Sequence, residues 1–407
     1  MTRRSDPNPA CWEQYGPFQH VKHELIRCYL NGWYPKLGTW ARRVLYVDTH
    51  AGRGRYESGD PGSPVLALQT LLRHSYREKL LNASEFNFLF IERDPANLAA
   101  LEAELSHLKP FPARINVETG EGDAFERLSV ILNELRRDRA QMAPAFLFVD
   151  PYGFKIPAAL LGDLMKAGRV ELFINVMWRE LDMLIQQRPA PGTPHAQTLD
   201  EIFGSSSWRT EVIGDGMDER LDRAIPLMAR GIGAKWWTSA VRMVTGGQAT
   251  RYVLLHLTNS DDGRDLMKEC AWSVSPAGGF IVRRSDNPDQ QFLIKPEPDL
   301  RPLRDWILNR LSRRPQRWQD LHAAVRPEWW LPKHVNELVR EPKNEGESVR
   351  KAFLAEGLEL RQILFCGSRR KRANPRRLGD LRRTMRPERA YSPAPREAAH
   401  QVPRGVD

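Results

Sequence analysis

The chain is poor in cysteine and has no motif that pairs what it has. Cys11, Cys28, Cys270 and Cys366 are the four in 407 residues, and none belongs to a Cys-x-x-Cys. That argues against a zinc ribbon, an iron–sulfur cluster or a disulfide framework, so no metal centre is expected. Inert, partly buried thiols in a reducing cytoplasm are the expectation. No run of about 18 apolar residues is present to cross a membrane. The opening Met1-Thr2-Arg3-Arg4-Ser5-Asp6-Pro7 leads into no apolar stretch, so no secretory signal is expected. A Gly-x-x-x-x-Gly-Lys-Ser/Thr loop is missing, which disfavours ATP hydrolysis at such a site. No Ser, His and acid stand in a nucleophile-elbow arrangement.

What is present is enough apolar material, 41% with twelve tryptophans, for two or three folded units. The net charge of +10 is unevenly spread. From Gly367 onward twelve Lys and Arg face four acids, so +8 belongs to the tail and about +2 to all the rest. Two readings of residues 367–407 stand: a disordered, solubilising end, or a segment that holds phosphates through counterion release.

The stretch around which the chain is organised is Val44-Leu45-Tyr46-Val47-Asp48-Thr49-His50-Ala51-Gly52-Arg53-Gly54-Arg55-Tyr56. It reads as a short buried strand running into a Gly-x-Gly turn, where missing side chains let backbone approach a ligand. Before it, residues 18–30 place Phe18, Val21, Leu25, Cys28 and Tyr29 at helical spacing, with Lys22 and His23 beside that stripe. After it, Ser63 and Pro64 open a helix through Leu72. Apolar runs follow at 86–91, 114–118, 145–149 and 172–177, alternating with helical segments. Alternation of this kind predicts a mostly parallel sheet with helices on both faces. Runs at 240–244 and 252–257 flank Thr245-Gly246-Gly247-Gln248 and read as a closing antiparallel hairpin. Five parallel strands and a hairpin are the count of a methyltransferase-type Rossmann fold; a dinucleotide oxidoreductase has no use for the hairpin.

The expected organisation is a loose N-terminus (1–11), this α/β domain (12–284), a linker (285–300), a helical domain (301–366) and the tail. The sixty or so residues near 180–238 form a mainly helical insertion, with covering the site and packing as its two possible roles. Helical patterns at 303–311, 318–325 and 332–340, basic on the third, resemble a winged helix-turn-helix. Such a module serves nucleic acid or a protein contact.

Chemistry gathers at strand ends. Gly52 and Gly54 end the first strand, Glu92 the second, Asp123 follows the third, and Asp150 ends the fourth. A parallel sheet projects all of them at one carboxyl edge, where doubly wound folds bind ligands. The acid after strand two can accept from ribose hydroxyls and the acid after strand three from an adenine amine. Asp48 and His50 belong to the glycine loop. Asp150-Pro151-Tyr152-Gly153-Phe154 can hold an exocyclic amine by its carboxylate and offers Tyr152 and Phe154 as flat faces for a flipped base.

These residues carry a resemblance. Val21-Lys22-His23 with Asp48-Thr49-His50-Ala51-Gly52-x-Gly-x-Tyr56 is similar to the cofactor motifs of bacterial large-subunit rRNA adenine-N6 methyltransferases. The whole order resembles the three-Cys-motif partner protein (TcmP) family more closely: the Asp-Thr-His-Ala-Gly loop, Phe90-Ile91-Glu92, Val149-Asp150-Pro151-Tyr152-Gly153-Phe154, Asn175-Val176-Met177 and Met267-Lys268-Glu269-Cys270-Ala271-Trp272. It spans roughly residues 12–365. The resemblance implies a class I S-adenosylmethionine-dependent methyltransferase-like domain with a winged-helix unit. It implies that His23, His50 and Glu92 contact the cofactor, Asp123 lies near its adenine and Asp150 at the acceptor amine. It also implies a protein partner with a three-cysteine motif. Amino-methyltransferases of this type read Asp/Asn-Pro-Pro-Tyr/Phe where this chain reads Asp-Pro-Tyr-Gly, closer to the Asp-Pro-Phe-Gly of tRNA guanine-N2 methyltransferases. A methyltransferase acting on or with nucleic acid and a non-catalytic adaptor are therefore both carried forward.

Overall fold

The strands that read as unbroken apolar runs lie at the centre of one sheet with helices on both faces. The structure, a computed structural model, describes residues 15–244, 250–275, 281–283, 297–314 and 316–339. The N-terminal segment 1–11, the hairpin tip, most of the linker and the tail lie outside the described residues, as does the stretch 340–366. The chain divides into Met1–Phe365 and Cys366–Asp407, and only the first contains described residues.

In chain order the sheet half comprises α1 (Pro17–Gly38), β1 (Arg43–Asp48), α2 (Ser63–Leu72), α3 (Arg77–Ala83), β2 (Glu85–Glu92), α4 (Pro95–Ser106), β3 (Ile115–Glu121), α5 (Ala124–Arg137), β4 (Met142–Val149), α6 (Ala158–Ala167) and β5 (Gly168–Val176). Then come α7 (Trp178–Gln186), α8 (Pro194–Phe203), α9 (Trp208–Glu211), α10 (Met217–Ile232), β6 (Trp236–Val244), β7 (Thr250–Thr258), α11 (Asp261–Val274) and β8 (Ile281–Arg283). The spatial order is β3-β2-β1-β4-β5-β7-β6-β8. Strands β1 to β5 are parallel, β7 runs antiparallel to β5 and β6, and β8 adds a short parallel strand that the sequence pattern did not reveal. The doubly wound fold with its closing hairpin is thus present. Its order reverses between β1 and β4, the switch point where such sheets take ligands.

Alternate residues of the strands feed two cores. Val47, Leu147, Val149, Leu172 and Ile174 face one; Tyr46, Phe88, Phe90, Phe146, Phe148 and Phe173 face the other. The helical insertion α7–α10 belongs to the first core through Trp178, Leu199, Phe203, Trp208 and Leu227, so of its two possible roles packing is the one observed. Asp182 and Arg220 lock it with a two-point ion pair at 2.6 and 2.8 Å.

Helix α1 closes the second core and runs eight residues beyond the segment its periodicity marked, through Pro35. A proline inside a helix leaves the carbonyl four residues back without its donor. Here that carbonyl, Asn31 O, lies 2.9 Å from the Nε2 of His74. Trp33 and Tyr34, both buried, bring the extra turns into the core.

Three further helices, α12 (Arg301–Arg313), α13 (Trp318–Val325) and α14 (Pro332–Val339), enclose their own small core of Leu303, Ile307, Leu311, Leu321, Val325 and Val335. Lys268 of α11 is fully buried and donates to Arg326 O (2.9 Å) and Trp330 O (2.6 Å). Trp272 donates to Trp329 O at 3.0 Å and stacks on Trp330 with ring centroids 5.4 Å apart. The expected basic face of the third helix is reduced among the described residues. Lys333 is exposed, but His334 is buried against Trp272, 4.7 Å between rings.

Candidate functional site

The loop after β1 is tied to the strands on either side of it. Thr49 N–H donates to Phe148 O of β4, and Ala51 N–H to Ile91 O of β2, each at 3.0 Å. Gly52, at φ 63°, then turns its N–H onto Glu92 Oε2 at 2.8 Å. Glu92 Oε1 accepts the Asp94 N–H at 2.8 Å, so this one carboxylate joins the glycine loop to the turn after β2. Each Glu92 oxygen retains a lone pair beyond the backbone donor it already serves.

These loops border a cavity of about 340 Å³ at the carboxyl edge. His23, His50, Gly52, Glu92, Asp123, Asp150, Pro151 and Tyr152 all line it. Three expected residues do not. Asp48 is fully buried beneath the loop, where it accepts the His50 N–H at 3.3 Å. Gly54, at φ 80°, faces away: a Cβ there would lie 2.7 Å from Leu101 of α4, and its carbonyl accepts the Gly62 N–H. Phe154 packs against the core that holds α6 and the insertion and offers no face to the cavity. The turn at Gly153, at φ 109°, separates it from Tyr152, which is 72% exposed at the rim.

Sequence reasoning did not single out Lys22 and Asn175 as site residues. Lys22 Nζ donates to Asp150 Oδ2 at 2.6 Å, and Asn175 Nδ2 to Oδ1 at 2.7 Å. Lys22 also lies 5.8 Å from the centre of the Phe148 ring. The available signal was local: Lys22 precedes His23 beside the apolar stripe, and Asn175 lies near the end of strand five. Phe125, two residues beyond the expected Asp123, forms a buried wall 5.8 Å from the His50 ring.

The electrostatics follow from burial and pairing. Burial works against both charges of the central pair, yet the Asp150 carboxylate holds Lys22 above the ordinary lysine value and Lys22 holds Asp150 below the usual carboxylate range. Burial pushes His23 down to about 3, helped by the Lys22 charge, and His50 down to about 4, so both rings are neutral near pH 7. Burial pushes Asp48 up to about 7 although Ser63 and the His50 amide favour its anion. Asp123 is also opposed by burial, but Lys155 and two backbone amides of α5 hold it below the usual range. Among the described residues no three His, Cys, Asp or Glu are grouped to hold a metal ion, and no helix is long and apolar enough to cross a membrane.

No protein-family profile and no curated protein matches the chain. Among solved structures it is similar to protein LPL1258 of Legionella pneumophila: 13% identity over 60% of this chain and 86% of that one, TM-score 0.32. It is similar also to the Escherichia coli protein yhhF, named as a methyltransferase, at 18% identity over 42% and 75%, TM-score 0.24. A Listeria monocytogenes protein, lmo1582, named as a class I S-adenosylmethionine-dependent methyltransferase, matches at 11% over 60% and 61%, TM-score 0.30. At these scores the likenesses carry no argument, and the fold rests on the strand order itself.

Proposed function

We propose that this chain is an S-adenosylmethionine-dependent methyltransferase of the three-Cys-motif partner protein type. It works in the cytoplasm on or with nucleic acid, and an exocyclic base amine is the favoured acceptor. The observation that carries this reading is the convergence of Gly52, Glu92, Asp123 and Asp150, from four strand ends, on one cavity. The residues fit such a cofactor in size and in donor set. A cavity of about 340 Å³ lies within the roughly 300–1,000 Å³ of small-molecule sites. Glu92 has acceptor capacity left for ribose hydroxyls, and Phe125 supplies a flat apolar wall beside Asp123.

A bound S-adenosylmethionine supplies the electrophilic methyl group. Asp150 orients the acceptor by taking a hydrogen bond from its amine, which directs the nitrogen lone pair into the cavity. Because Lys22 keeps Asp150 ionised, the carboxylate is an acceptor and not a proton donor at neutral pH. Tyr152, exposed at the rim, is the stacking face for the base.

Calorimetry with S-adenosylmethionine tests the cofactor reading: heat of binding is expected, and Glu92→Ala should lose it. Absence of heat with the unaltered protein refutes the reading. A second reading, an adaptor that joins a three-cysteine partner protein to nucleic acid without turnover, is favoured by the engagement of both Asp150 oxygens. Radiolabelled methyl transfer to total RNA and DNA separates the two. Transfer abolished in Asp150→Ala ends the adaptor reading.

A further inference from the structure

The loop that carries Asp150, Pro151 and Tyr152 is fastened at its far end, inside the same cavity. Lys155 Nζ donates to Asp123 Oδ2 at 2.8 Å and lies 5.6 Å from the centre of the Phe125 ring. Asp123 Oδ1 is engaged elsewhere, capping α5 by accepting the Phe125 and Glu126 amides at 2.9 and 3.2 Å. The oxygen that Lys155 covers is therefore the one on Asp123 that a ligand amine can reach. The ammonium is half exposed and can leave for water at little cost, whereas Phe125 is a fixed wall.

We propose that Lys155 and the cofactor's adenine amine exchange at Asp123, so that filling the adenine end of the cavity unfastens the loop that presents Tyr152 beyond the anchored Asp150. This rests on the cofactor reading above and adds to it a positioning residue and an order of events, cofactor before acceptor. Lys155 Nζ stands at the outward oxygen that the adenine amine would take, and Lys155 is joined to Tyr152 by only two intervening residues, Gly153 and Phe154. With Gly153 at a positive φ in open space, the loop can swivel there once its far end is free. Linkage makes the effect reciprocal: a fixed Lys155 weakens cofactor binding as much as the cofactor weakens the tether.

The test is calorimetry of the full chain with S-adenosylhomocysteine and with its 6-oxo analogue, which has no exocyclic amine to offer Asp123. Lys155→Met should bind S-adenosylhomocysteine about two- to fivefold more tightly than the unaltered protein, the scale of one half-exposed ion pair. Lys155→Arg, which keeps the tether, should bind as the unaltered protein does. The 6-oxo analogue should show no gain in either variant, and added salt should narrow the difference for Lys155→Met. Equal or weaker binding of S-adenosylhomocysteine by Lys155→Met overturns the exchange, as does an equal gain for the analogue. Failure of every protein to bind either compound removes the cofactor reading itself, and this proposal with it.

Discussion

Replacing Lys22 by Met removes the ammonium from Asp150 and keeps most of the side-chain volume. Taking away one partner of a buried pair costs about 3–5 kcal/mol, because the other charge stays behind uncompensated. Two features of this site lower that figure. The side chains are 13% and 21% exposed, and Asn175 still donates to Asp150 Oδ1 at 2.7 Å. A loss of about 2–3 kcal/mol follows, or a melting temperature lower by roughly 2–4 °C for a chain of this size. The pH dependence carries the sharper signature. In the unaltered protein Asp150 lies below its ordinary value, so its contribution is present above about pH 4 and is lost as pH falls through the depressed value. In Lys22→Met burial acts with no ammonium to oppose it, the folded value moves above about 4, and stability falls as pH rises from there. Lys22, raised in the fold, contributes below its ordinary value of about 10.4 and is lost as pH climbs through the higher folded one. Thermal melts from pH 3 to 10 read the acid limb; the loss of the Lys22 contribution begins only above that range. Lys22→Met/Asp150→Asn, which removes both charges, should recover to within about 1 kcal/mol of the unaltered protein. A single variant as stable as the parent with an unchanged acid limb refutes the reasoning, and so does a double variant no better than the single one.

Asp48→Asn should leave S-adenosylmethionine affinity within about threefold, since Asp48 lies under the cavity and not in it. It should also remove a penalty of about 2–4 kcal/mol that the carboxyl builds up as pH rises from about 4 to its folded value of about 7. His23 and His50 act in the opposite direction: the fold refuses protons that the unfolded chain takes below about pH 6.5, so stability falls with acidification towards their values of about 3 and 4. His50→Gln should flatten that acid slope in thermal melts. Gly54→Ala combines a positive φ with a Cβ 2.7 Å from Leu101 and should cost more than Gly153→Ala, where the φ is positive but the space is open; chemical denaturation compares them. Lys268→Met leaves Arg326 O and Trp330 O without their buried donor, at about 1–3 kcal/mol, and should speed proteolytic cleavage between α11 and α12.

The sheet was legible because strands buried on both faces cannot alternate polar with apolar residues, so 44–47 and 145–149 read as unbroken runs. Its carboxyl edge was legible for a topological reason: parallel strands send every terminal residue the same way, and Glu92, Asp123 and Asp150 needed no further information to converge. What local pattern could not show is which way a side chain turns once the strand has ended. Phe154 and Tyr152 are two residues apart in one motif, yet one enters the core and the other faces water, because Gly153 reverses the backbone between them. Gly54 is a comparable case: a glycine in a ligand loop whose missing side chain makes room for Leu101. The Lys22–Asp150 pair joins positions 128 apart, and nothing within either segment announces the other.

The position of Lys22 depends on how helix α1 is rotated, and that rotation is set deep in the core. Tyr29 and Trp33, further along α1, both donate to the buried carboxylate of Glu171 on β5, which His256 Nε2 of β7 approaches at 3.1 Å. Glu171 lies against Gly263 in the first turn of α11, where no side chain blocks it and the helix N-terminus favours its charge. Residues of a strand two apart share a face, so Asn175, four beyond Glu171, points to the same side of β5 and reaches Asp150. One face of one strand thus holds both halves of the central pair: Glu171 sets the helix that carries Lys22, and Asn175 sets the carboxylate that Lys22 meets. A substitution at Glu171 would act on the site by turning α1, without any contact with the cavity.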